Sequence, residues 1–152
     1  MTSTPGSASS PEPPAPPGQP HPAARDGQRF GLEVRQQDGV VILVLSGELD
    51  HDTAHPLHEA LAAALERPGP PRLVVDCGGL RFCDSTGLNM LLRARLEAQE
   101  IGGTVELAAP TRPVARMLEI TGADEVFTIH PDMATALREN ADRPTGGIRG
   151  RP

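Results

Sequence analysis

Between positions 30 and 35 the chain alternates, Phe30, Leu32 and Val34 against Gly31, Glu33 and Arg35, which is the period of a strand with one buried face. Asp38-Gly39 then signals a tight hairpin turn. The following run, Val40-Val41-Ile42-Leu43-Val44-Leu45, has the unbroken apolar character of a strand covered on both sides. After Ser46-Gly47-Glu48-Leu49-Asp50 the period changes from two to nearly four. Ala54, Leu57, Leu61, Ala64 and Leu65 fall on one face of a helix expected to begin at Asp52 or Thr53, with Pro56 in its first turn. Arg67-Pro68-Gly69-Pro70-Pro71 ends that helix.

Positions 73–76 predict another buried strand, leading through a Gly-rich loop to Asp84-Ser85-Thr86-Gly87 and a second helix. There Leu88, Leu91, Leu92 and Leu96 form the expected buried stripe, with Asn89, Arg93, Glu97 and Glu100 opposite. Arg95 projects into the stripe, and Met90 falls with the polar face, where an adaptable apolar side chain could serve a partner. Gly102-Gly103 closes the helix, and a strand follows at 104–107, so 73–108 reads strand, helix, strand with parallel pairing. A helix at 112–120, a strand at 126–129 and a helix at 132–140 continue the alternation. The expected fold is a single α/β domain, a mixed sheet of four or five strands covered by helices.

Composition limits the folded part. Residues 1–28 and 141–152 are dominated by small residues and Pro, which cannot offset the entropy of ordering, so they read as disordered tails around a domain at 29–140. The core must be aliphatic, because the chain has no Trp, no Tyr and three Phe. That scarcity leaves little for stacking on bases, and a formal net charge of −6 argues against a phosphate-binding surface, so no direct nucleic-acid partner is expected. No basic stretch followed by an apolar one opens the sequence, and the longest apolar run, 40–45, is only strand length. The expectation is a cytoplasmic protein without membrane insertion.

Several constellations bear on chemistry. Cys77 and Cys83 lack the spacing of a redox pair or of half a zinc site and read as buried free thiols. His51, His55 and His58 lie at helical spacing, yet Asp52 replaces the Glu of the helical zinc motif and Pro56 follows directly, so no metal is expected. No phosphate-binding glycine loop follows a strand, and no base accompanies Ser85 as it would a nucleophile. Neither a cofactor nor enzymatic activity is expected.

Asp84-Ser85-Thr86-Gly87 carries more. Taken alone it is an ordinary polar helix cap. It is also a place where a phosphate on Ser85, adding about −1.5 to −2 charges at neutral pH, would meet the positive end of a helix without unfolding it.

Gly47-Glu48-Leu49-Asp50 after a buried strand, Phe82-Cys83-Asp84-Ser85-Thr86-Gly87-Leu88 before a Leu-rich helix, and Gly102-Gly103 before a strand together resemble the STAS domain of bacterial anti-sigma factor antagonists. The similarity runs from Phe30 to Asn140. The resemblance implies a partner-switching protein. Its unphosphorylated form would bind an anti-sigma factor that is also a serine kinase and so release a sigma factor for transcription. Kinase action on the serine after the Asp, here Ser85, would switch it off, and a PP2C-type phosphatase would reverse that. Asp84, Thr86 and Gly87 are then the supporting turn, and Asp50, Asn89, Met90 and Arg93 are expected at the partner interface. STAS-like domains also serve as constitutive subunits of stress-sensing assemblies or beside transport ATPases, and the resemblance leaves that alternative open.

Overall fold

The computed structural model describes residues 29–141, and the tails read at 1–28 and beyond Ala141 lie outside the described residues. β1 (Phe30–Gln37) and β2 (Val40–Leu49) pair antiparallel across Asp38-Gly39, whose φ angles of 53° and 81° are those of a type I′ hairpin turn. α1 (His55–Leu65), β3 (Arg72–Cys83), α2 (Ser85–Glu100), β4 (Thr104–Ala108), α3 (Arg112–Thr121), a 3-10 turn (Ala123–Glu125), β5 (Ile129–His130) and α4 (Met133–Ala141) follow. The five strands lie in the sheet in chain order, and β2 to β5 are mutually parallel. The mixed α/β sheet expected from the alternation is therefore present.

The sheet buries both faces unequally. Leu43, Leu45, Leu73, Val75, Val105 and Leu107 face α1, α2 and α3 in the main core, whereas Val40, Ile42, Val74 and Ala108 pack against α4. The unbroken apolar run of β2 follows from this double cover.

Four expectations need correction. β3 does not stop at Asp76; it runs twelve residues to Cys83, and the Gly-rich stretch is strand. It carries one extra residue opposite Val44–Ser46 and a second opposite Gly47–Glu48, and these bulges disguise its period. α1 starts at His55, not Asp52, because the residues before it form a turn closed by Asp50. In α2 the stripe is Gly87, Leu88, Leu91, Ala94 and Ala98, with Leu92 half-buried and Leu96 exposed. At about 100° per residue, Leu96 lies on the far side of the helix from the buried Ala94 and Ala98, which is why it faces outward. The last strand is only Ile129–His130, since the 3-10 turn at 123–125 draws in Val126 and Phe127, whose N–H groups both donate to the Ala123 carbonyl.

Candidate functional site

The parallel strands β2 and β3 end side by side, and each hands the chain to a helix. Asp84 closes β3 by donating its N–H to the Leu49 carbonyl at 3.0 Å, which ties the two strand ends together. Its backbone is extended (φ −96°, ψ −173°), and its carboxylate accepts the Gly87 N–H at 3.2 Å, the geometry of a helix N-cap. Ser85 is thereby the first residue of α2 and is exposed, while Thr86 is half-buried. Among the described residues, the N–H groups of Ser85 and Thr86 have no protein acceptor, so two donors are left unengaged at the positive end of a sixteen-residue helix.

Gly87 is where this turn meets the core. A Cβ there would stand 2.7 Å from two carbons of the Leu49 side chain and 3.0 Å from Cys83 Sγ, so only a bare Cα lets the helix start this low over the sheet. Cys83 and Cys77 are free and buried. Burial pushes both thiols up to about 12, with the negative charge of Asp84 adding to the effect at Cys83, so both are protonated at neutral pH.

The neighbouring loop is built by Asp50. Its Oδ1 accepts the N–H groups of Asp52 (2.9 Å) and Thr53 (3.1 Å), and Thr53 Oγ1 donates to the Glu48 carbonyl at 2.8 Å while accepting the Asp50 N–H at 2.9 Å. Desolvation raises the Asp50 carboxyl's affinity for a proton, but these hydrogen bonds and the Arg29 guanidinium outweigh it and hold the group below the ordinary carboxylate value. Arg29 lies across the loop, 3.2 Å from Asp50, 3.6 Å from Glu48 and 3.7 Å from Asp52. Its carbonyl accepts the Glu48 N–H at 2.6 Å, directly over Gly47. Gly47 has φ +84°, and a Cβ on it would run into that carbonyl.

Beyond Ser85 the surface continues as a groove of about 310 Å³ between α1 and α2. Thr86, Asn89, Met90 and Arg93 line it from α2, facing His58, Leu61 and Leu65 of α1. Met90 is half-buried against the main core, so it forms a wall of the groove. Three of the four residues expected at an interface thus share one groove, while Asp50 belongs to the adjoining loop, joined to it through the Leu49–Asp84 hydrogen bond.

Phe82 was missed. It is 49% exposed, two positions before the Asp84 cap, and its register partner is Glu48. Strict alternation from the buried Leu80 would turn it inward, but the extra residue in β3 exposes Arg81 and Phe82 together and returns Cys83 to the core. The available signal was composition: a large aromatic, one of three in the chain, immediately before a polar turn.

The three histidines are exposed, His51 pairing with Asp52 at 3.2 Å and His55 with Glu59 at 3.1 Å. No helix among the described residues is long and apolar enough to cross a membrane.

Comparison with known proteins bears on the whole arrangement. A family model described as "Mlab, STAS domain" matches residues 32–133. The anti-sigma F factor antagonist of Paenibacillus polymyxa is 31% identical over 108 residues, which cover 71% of this chain and 92% of that protein. The crystal structure of an anti-sigma factor antagonist from Mycobacterium paratuberculosis is similar with a TM-score of 0.67 at 30% identity, covering 74% of this chain and 95% of that one. The Bacillus cell fate determinant SpoIIAA, solved in its phosphorylated form, shares the fold, with a TM-score of 0.57 at 18% identity over 71% of this chain and 98% of its own.

Proposed function

Because the chain belongs to the STAS-domain anti-sigma factor antagonist family, we propose that it binds an anti-sigma factor with its unmodified α2 start and is switched off by phosphorylation of Ser85. The observation that carries this is the placement of Ser85. It is an exposed hydroxyl at the first position of a capped helix, between a carboxylate-rich loop and an apolar-walled groove. A protein of the same fold, SpoIIAA, is known in a phosphorylated form.

The chemistry divides among the residues. Asp84 fixes the turn and presents Ser85 to a kinase; Gly87 seats the turn on Leu49; Thr86 supports it. Asp50 with its loop, Phe82, Asn89, Met90 and Arg93 supply the surrounding contact surface. A phosphate on Ser85 would be favoured locally by the free N–H groups and the helix dipole, so the domain would remain folded. The same dianion would have to be desolvated on binding and would repel acidic groups of the partner, so the change falls on affinity. The partner is an anti-sigma factor with serine kinase activity, and a PP2C-type phosphatase restores the binding form. The chain then acts as a regulator of transcription without catalysis of its own.

The test is to incubate the full chain with its cognate anti-sigma kinase and radiolabelled ATP. Label is expected on Ser85, with labelling abolished in Ser85→Ala and affinity for the anti-sigma factor reduced by about tenfold or more in the phosphorylated form. Normal labelling of Ser85→Ala would overturn the site, and unchanged affinity after phosphorylation would overturn the switch. Capture of a transport ATPase with no kinase would instead support the constitutive-subunit role.

A further inference from the structure

The back of the sheet is covered differently from the front. Among the described residues α4 is its helical cover, and the apolar contact is small: Met133, Ala136 and Leu137 against Val40, Ile42, Val74 and Ala108. The last turn of α4 is held by polar groups. Asn140 Nδ2 donates to Glu106 Oε1 at 3.2 Å and to the Ala136 carbonyl at 2.9 Å, and the Arg72 guanidinium donates to the Asn140 carbonyl at 3.0 Å. His130 Nε2 lies 2.9 Å from the same Glu106 oxygen, and its Nδ1 lies 3.7 Å from Glu139 Oε1. Glu106, His130 and Asn140 are 4%, 3% and 1% exposed.

We propose that His130 is a protonation-controlled latch for α4. Its two ring nitrogens each face a carboxylate, Glu106 on β4 and Glu139 on α4. Only the imidazolium presents a donor to both, because the neutral ring has one N–H and one lone pair. Asp132, in the turn before α4, also interacts with its charge, while Arg72 of β3 bonds the Asn140 carbonyl and Arg138 of α4 bonds Thr135 Oγ1. Loss of the proton leaves one lone pair directed at a carboxylate and weakens the partner of a buried Glu106. The last turn of α4, which carries Glu139 and Asn140, then loosens. The device works at the opposite face of the sheet from Ser85 and is independent of phosphorylation.

The experiment is amide hydrogen exchange by NMR on the full chain across about pH 5.5 to 8, the range where imidazoles titrate, with the His130 ring resonances followed in parallel. After correction for intrinsic rates, protection of α4 relative to α2 is expected to fall about tenfold as His130 loses its proton, the size of one charge-assisted hydrogen bond. His130→Gln is expected to abolish that dependence. Should that variant fail to fold, the exposed Glu139→Gln is expected to move the His130 titration to lower pH and shrink the change in α4. Protection of α4 that does not track the His130 titration, a dependence that survives in His130→Gln, or a titration untouched by Glu139→Gln would overturn the proposal.

Discussion

α1 and α2 both start at the carboxyl end of a parallel strand, yet they start in different ways. α2 has a side-chain cap, Asp84, on extended backbone. α1 has none: Ala54 precedes it in helical conformation, and Pro56 occupies its first turn. What orders the α1 start is the turn before it, where Asp50 and Thr53 exchange hydrogen bonds. The difference decides which hydroxyl is available. Thr53 Oγ1 is engaged with the Glu48 carbonyl and the Asp50 N–H, whereas Ser85 Oγ is outside the capping interaction and exposed. A cap that precedes the serine leaves that serine free for chemistry.

The contrast is broken most forcefully at Gly87. Gly87→Ala drives a methyl against Leu49 and Cys83, and urea unfolding is expected to show a loss of about 1–3 kcal/mol, with the start of α2 displaced. Asp84→Ala removes the cap and is expected to cost about 1 kcal/mol, while Asp84→Asn, which retains an acceptor, costs much less. An equal loss in both Asp84 variants would show that its charge, and not the cap, orders the turn.

The smallest effect sharpens the α1 side. The Asp50 carboxyl is held below its ordinary value of 3.8, so its charged form favours the folded state. That contribution is complete above the ordinary value and is lost as pH falls through the depressed one. Asp50→Asn keeps the acceptor oxygen and removes the charge. Thermal melts are therefore expected to separate the variant from the natural chain at neutral pH and to bring them together in acid.

Local signals in the sequence accounted for what they could reach. The hairpin at Asp38-Gly39, the doubly buried β2 and the polar cap of α2 depend on neighbours within a few positions, and all three are in place. The full length of β3 is not legible locally because its two bulges are imposed by pairing with β2 across the sheet, and the second of them conceals the exposure of Phe82. α1 starts later than its period suggests because Asp50 draws the next residues into a turn, a competition that propensity does not resolve. Glu106, His130 and Asn140 come from three elements, and no local pattern announces that they meet. Of the candidate site, the cap residues were legible as chemistry, whereas the shared groove of Thr86, Asn89, Met90 and Arg93 depended on where α1 packs.

The order of the strands has a consequence for how the molecule is made. Each strand lies beside its predecessor, so a chain leaving the ribosome can add every new strand to an edge already formed. The hairpin of β1 and β2 provides the first template, and its closing contacts span few residues. Ser85 follows β3 directly, so its turn can take shape on the β2 end before α3 and α4 have been synthesised. Among the described residues, β5 and α4 come last in the chain and join a sheet whose other four strands precede them.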